Sequence, residues 1–218
     1  MKSASFSFVV MADQMASRAA SDRVPAALDA LAGLPLTLPF ERTAGDEIQC
    51  LTADPQSVVD AVGRLTRLDG WRLGIGVGLV ETPLPESTRA ARGGAYLAAR
   101  TAITAARHAP TDLALAVHGG VGRDRYGEDA EPARDAEAAL WLLRSVLARR
   151  SEEGWELMDL LDDGLTSAQA AARLGVSPSA VSQRLSRAAR EEGRRGAELC
   201  VRLLTRLQDA VAPDEETR

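Results

Sequence analysis

An α+β fold carrying an all-α C-terminal unit is predicted from three features of the 218-residue chain. Short β-type runs alternate with helical patterns in the order βαββαβ over the first part of the chain. From Ala136 onward only helical periodicity appears. Between Thr166 and Arg187 two short helical patterns are punctuated by a glycine and a serine–proline pair. The first feature is most simply a ferredoxin-like two-layer sandwich, a sheet with helices on one face. The third has the spacing of a helix-turn-helix, whose second helix enters a DNA major groove.

Each element has its own local cause. Phe6 to Ala12 is a β-type apolar run ending at Asp13 and Gln14. Ser21 to Ala32 carries Val24, Ala27, Leu28 and Leu31 at helical spacing and stops before Gly33. Leu36 to Arg42 and Ile48 to Thr52 read as a hairpin with Ala44-Gly-Asp-Glu47 as its acidic turn. Pro35 and Pro39 suit an edge strand. After Asp54-Pro55 the spacing of Val58, Val59, Val62 and Leu65 gives a helix, and Trp71 to Glu81 a long strand. An exposed loop (Pro83 to Ala91), an alanine-rich helix (Gly94 to His108) and a short strand (Leu113 to His118) complete this part.

The expected division is a sandwich domain at 1–120, a linker and connecting helix at 121–151, a helix-turn-helix unit at 152–211 and a disordered tail at 212–218. Gly119 to Pro132 is polar and acidic, which suits a boundary. Ala136 to Arg150 is a helix whose apolar face, Leu140, Leu143, Val146 and Leu147, is expected to connect the two units and pair with its symmetry mate. Trp155 to Leu161 is the first helix of the C-terminal unit. Arg195 to Val211 is a terminal helix with an apolar stripe wide enough for core and partner.

The Thr166–Arg187 segment carries the densest set of signals. Thr166 is placed to cap the first helix, and Gly175 stands where that helix must stop with a left-handed residue. Ser177 caps the second helix, with Pro178 at its first position. Val181, Leu185 and Ala188 fall on its inward side. Ser179, Ser182, Gln183, Ser186 and Arg187 fall outward, with Arg184 on the flank. Gln bonds adenine bidentately, Arg bonds guanine, and Ser donates to phosphates or base edges. No Asp or Glu occurs from Pro178 to Arg190. The candidate DNA-contacting residues are therefore Thr166, Ser177, Ser179, Ser182, Gln183, Arg184, Ser186, Arg187 and Arg190. The plainer reading is a helical hairpin inside a larger bundle. The segment resembles the helix-turn-helix of sigma-factor region 4 and of LuxR-like response-regulator output domains, which implies DNA binding.

Composition limits the alternatives. A net charge of −5 excludes a chain basic throughout that coats nucleic acid indiscriminately, so any DNA contact needs a local basic face. Arg184 to Arg195 supplies one, with five arginines against two acids. Cys50 and Cys200 have no metal-ligand spacing and read as core thiols, and a reducing cytoplasm is expected. The run at Phe6 to Ala12 is too short to span a bilayer, so no membrane partner is expected. His108 and His118 read as solvent-facing.

A second candidate site lies in the sandwich. Asp13 follows the first strand and Asp46 sits in the hairpin turn, so their carboxylates are expected to converge and to suit Mg²⁺ holding a triphosphate. Arg42 and Arg100 are expected at the same cleft. Here Met11-Ala-Asp-Gln-Met-Ala-Ser-Arg18, Arg42-Thr-Ala-Gly-Asp-Glu47, Arg72-Leu-Gly-Ile-Gly-Val-Gly78 and Gly93-Gly-Ala-Tyr-Leu-Ala-Ala-Arg100 resemble the SatD family and, more distantly, the class III nucleotide cyclase domain. Ala-Gly-Asp-Glu is similar to the diguanylate cyclase hairpin. The resemblance implies metal binding at Asp13 and Asp46 and contacts to a purine nucleotide from Arg42, Gly45 and Arg100. Tyr96 stands where the cyclase pattern has an asparagine, and Ala44 and Ile48 replace a glycine and a phenylalanine. A degenerate domain that binds a nucleotide without turning it over is therefore expected.

The expected whole is a cytoplasmic transcription regulator. It binds double-stranded DNA as a homodimer, under control of a purine nucleotide with Mg²⁺. An active cyclase with a DNA-binding output, an inert dimerisation scaffold and a polymerase-interacting protein stay open as alternatives.

Overall fold

The structure is a computed structural model that describes residues 6–16, 21–118 and 131–211. The end of the first cyclase-like motif, the acidic boundary segment and the charged tail lie outside the described residues. In chain order the elements are β1 (Phe6–Gln14), α1 (Val24–Leu31), β2 (Leu38–Arg42), β3 (Glu47–Thr52), α2 (Pro55–Leu68), β4 (Trp71–Leu79), α3 (Gly94–Ala105), β5 (Leu113–Val117), α4 (Glu131–Leu147), α5 (Glu152–Asp162), α6 (Ser167–Leu174), α7 (Pro178–Arg187) and α8 (Arg190–Val211). The protein is α+β, with one five-stranded mixed sheet.

Strand order is β2-β3-β1-β4-β5. β1 runs antiparallel to both β3 and β4, and β2 antiparallel to β3. The first four strands thus have the ferredoxin-like order, with β1 at the centre. β5 is added parallel to β4, and α3 forms the crossover between them.

The two faces of β1 are used differently. Phe8, Val10 and Ala12 enter a core with Ile48, Ile75, Val62 and Leu65, under α1 and α2. Val9 and Met11 point the other way and pack with Ala95, Tyr96, Ala99 and Ile103 of α3. The sheet is therefore covered on both faces, not on one as the element order alone predicts. The cause lies in β4. Gly74, Gly76 and Gly78 leave one side of that strand bare, and the α3 backbone settles directly on it. Alanines on α3 keep the approach close. Leu73, Ile75 and Val77, alternating with these glycines, fill the opposite core.

The far edge of β5 is sealed by side chains of α4. The Trp141 indole donates to the Leu113 carbonyl at 2.7 Å, and the Leu115 N–H donates to the Glu137 carboxylate at 2.8 Å. Buried Arg144 donates to the carbonyls of Asp112 (2.9 Å) and Trp71. These three residues fall at i, i+4 and i+7, one stripe of the helix. Glu137 and Trp141 occupy backbone groups of β5 that an open edge would offer to another strand. Burial holds the Arg144 pKa down to about 10 and raises that of Glu137. Glu137 satisfies the outward Leu115 N–H, whereas the Asp112 carbonyl that Arg144 reaches also accepts from the Leu73 N–H at 2.8 Å.

α8 belongs to the same core. Cys200, Leu204 and Leu207 pack with Leu140, Leu143 and Leu147 of α4 and with α2. Gln208 donates to the carbonyls of Phe6 and Ala53, tying the end of α8 to the start of β1. The span 152–211 thus contains two kinds of element: α5–α7, with a small core of their own, and α8, whose apolar stripe completes the core of the sandwich. The reason is stoichiometric. α2 and α4 leave an apolar trough that only a long amphipathic helix fills. Both cysteines are buried, with Cys200 pushed up to about 12, and both histidines are exposed.

Candidate functional site

The pair α6–α7 is built as its sequence dictates. The Gln169 N–H donates to Thr166 Oγ1 at 3.3 Å and the Thr166 N–H donates to Gln169 Oε1 at 2.8 Å, a capping box. Gly175 closes α6 at φ 64°, ψ 31°, the left-handed region. Ser177 accepts from the Ala180 N–H at 3.2 Å, and Pro178 opens α7. Each cap stabilises its helix by about 1 kcal/mol. The pair is held by Leu157, Met158, Ala170, Ala171 and Val181, with Leu174, Val176 and Leu185 around them.

Burial leaves one side of α7 open. Ser179, Ser182, Gln183, Ser186 and Arg187 are exposed, and Arg184 is half-buried. Three of the expected contact residues have local partners as well. Thr166 and Ser177 use their hydroxyls as caps, and Ser182 donates back to the Pro178 carbonyl at 3.2 Å. Arg190 lies on a different helix from the others. α7 ends at Arg187, Ala189 takes a left-handed φ of 47°, and Arg190 begins α8. The acid-free run extends from Pro178 to Arg190, but the helix does not. The break is set from outside by Arg150, whose Nε donates to the Ala188 carbonyl at 2.7 Å.

A cleft lined by Arg149, Ser151, Glu153, Arg184 and Arg187 lies at the C-terminal end of α7, beside the start of α5. Glu153 is the one acid among these lining side chains, and its carboxyl is held below the usual range, first by Ser151 and more weakly by Arg184.

The three-helix unit is attached to the sandwich by a clamp that sequence reading missed. Arg67 of α2 makes a two-pronged ion pair with Asp159 of α5, at 2.6 and 2.7 Å. Trp155 lies beside it, with Arg67 at 5.3 Å and Arg150 at 4.7 Å from its ring centre. A tryptophan one turn into a short helix that begins with two acids was the available signal.

The second candidate site, at the hairpin end of the sheet, is put together differently from expectation. Glu47, Asp13 and Arg72 stand side by side across β3, β1 and β4. Arg72 Nη1 lies 3.0 Å from Asp13 Oδ2. Burial, and then the charge of Asp46, raise the Asp13 pKa against the pull of Arg72. Asp13 and Asp46 are thus close enough to feel each other, and the Gln14 N–H donates to the Asp46 carbonyl at 3.2 Å. Arg100 reaches the same end of the sheet, where it pairs with Glu47 at 2.6 Å. Arg42 does not. It stands opposite Ile48, on the α1 and α2 face, and pairs with Asp22 at 2.5 Å. A shift of register between Leu38 and Glu41 sets that parity. Gly45 forms the open turn at φ 59°.

Asp46, the second carboxylate expected at a metal, has no ion pair among the described residues, whereas its neighbours are engaged. Arg72 occupies Asp13, Arg100 and Thr43 occupy Glu47, and no group of three potential metal ligands clusters among the described residues. Tyr96 is also committed elsewhere. It is buried against β1 and bonds Thr88 at 3.1 Å, while Gln49 donates to the Thr88 carbonyl at 2.9 Å, so together they pin the segment before α3.

Fold and site together define an α+β protein with a capped, polar-faced helical pair near its C-terminus. No helix among the described residues is long and apolar enough to cross a membrane. No family model matches the chain, and no curated protein matches it. Among solved structures, it is similar to a regulator of polyketide synthase expression from Bifidobacterium adolescentis, at 16% identity over 96% of this chain and 82% of that one. The TM-score is 0.29, too low for the likeness to carry an argument about fold or function.

Proposed function

We propose that the chain is a DNA-binding regulator in which α6 and α7 form a helix-turn-helix and α7 is the recognition helix. One observation carries the reading. The buried side of α7 is reduced to Val181, with Leu185 partly covered, while Ser179, Gln183, Ser186 and Arg187 stand free on the other side without an acid among them. Any surface helix keeps polar residues outward. What sets this stripe apart is that it holds serine, glutamine and arginine with no acid, a composition suited to a phosphate backbone. Gln183 and Ser179 are suited to base edges, Arg184 to guanine or phosphates, and Arg187 to phosphates. A helix of this size gives little affinity alone, so the regulator acts as a dimer on two half-sites about 34 Å apart. Nucleotide control is not part of the proposal: of the acids at the hairpin end, Asp13 and Glu47 are paired with arginines and Asp46 is not.

Binding of the full chain to duplex DNA, followed by anisotropy over a salt series, tests the reading. Affinity is expected to fall steeply with salt. Arg187→Ala should weaken all sequences alike and lower the salt slope by about 1. Gln183→Ala should narrow the gap between preferred and random DNA by about 1–3 kcal/mol. Absence of binding at low salt would remove the proposal.

A further inference from the structure

We propose that a second copy of the chain pairs with the first through the outer stripe of α4, antiparallel and centred on Leu142. This rests on the dimeric reading above and names its surface. The apolar residues that periodicity offers for pairing are already used: Leu140, Leu143 and Leu147 are buried in the chain's own core, against α8 and α2. The opposite stripe remains. It runs through Asp135, Ala138, Leu142 and Ser145 to Arg149 in the turn after the helix, with steps of three and four residues. Leu142 is 70% exposed, the most exposed large apolar side chain among the described residues. Gly196 of α8 meets Leu143, and three residues on, Leu199 is 41% exposed, a second uncovered leucine on the helix packed against α4.

Charge selects the occupant and its direction. Asp135 and Arg149 lie seven residues to either side of Leu142, and both are exposed. A two-fold axis through Leu142 brings Leu142 to itself and each Asp135 to the other copy's Arg149, with Ala138 facing Val146, half-buried beside the stripe. A parallel pair would set Asp135 on Asp135 and Arg149 on Arg149. The stripe is its own complement only in the antiparallel sense, as an isologous contact requires.

Sedimentation of the full chain over a concentration series, without DNA, tests this apart from any DNA binding. The wild-type chain is expected to associate reversibly into dimers. Leu142→Glu, at an exposed site that leaves the thermal midpoint unchanged, should be monomeric throughout. Arg149→Asp should raise the dimer dissociation constant about tenfold. The swap Asp135→Arg with Arg149→Asp restores both pairs and should recover wild-type association. A monomeric wild type, a dimeric Leu142→Glu, or a swap as weak as the single change would each overturn the proposal. Loss of DNA binding with these outcomes intact would count against the recognition helix alone.

Discussion

Gly76→Val is expected to abolish cooperative folding of the sandwich. A Cβ at residue 76 would lie 2.2 Å from both the Ala95 carbonyl oxygen and the Ala99 nitrogen, and 2.7 Å from the Ala99 Cα. These are backbone atoms and cannot rotate aside. α3 is pinned in the same way at Gly74, 2.4 Å from the Ile103 nitrogen, and at Gly78, 2.8 Å from the Ala95 nitrogen. It must therefore lift as a unit, which opens the core formed by Val9, Met11, Ala95, Ala99 and Ile103. Overpacking usually costs about 1–3 kcal/mol. Clashes with backbone that drag a whole helix belong above that range, against a total stability of about 5–15 kcal/mol for a domain. Gly76→Ala should show a smaller loss of the same sign. Thermal denaturation followed by circular dichroism reads both. A cost for Gly76→Val under about 1 kcal/mol would mean that α3 is not seated on β4.

Val181→Asp is the second large effect, and it should be local. Val181 has no exposed surface and sits in a core of five buried residues. An unpaired carboxylate there costs several kcal/mol, and so small a core has no reserve to absorb it. α5, α6 and α7 should therefore come apart, while the sandwich, whose core includes α8, keeps its transition. The expected result is loss of all DNA binding, rapid protease cleavage between residues 152 and 188, and a sandwich that still unfolds cooperatively. Retention of DNA binding would contradict the assignment of α7. Loss of the whole fold would show that the three-helix unit is not energetically separate.

What the sequence makes legible here is local. Thr166, Gly175, Ser177 and Pro178 fix α6 and α7 because caps and turns act over three or four residues. The strand order follows from βαββαβ by general topology. The position of α3 depends instead on a non-local pattern: glycine at every second residue of β4 marks a face that backbone, not side chain, will cover. The placement of α8 was not legible, because which trough an amphipathic helix fills depends on what α2 and α4 leave open. At the hairpin end, Asp13 and Arg100 arrive where spacing put them. Arg42 does not, because one shift of register in an edge strand reverses the side on which a residue lies. Arg190 falls on α8 and not on α7, where Arg150, forty positions away, bonds the Ala188 carbonyl at the helix end.

The account rests on the exposed stripe of α7 meeting base edges. Recovery of bound duplexes from a random pool by the full chain puts that to the test most directly. An enriched, inverted-repeat motif is predicted, blurred at one or two positions by Gln183→Ala and kept, with lower yield, by Arg187→Ala. A pool that emerges without enrichment, or a motif indifferent to both substitutions, would contradict it.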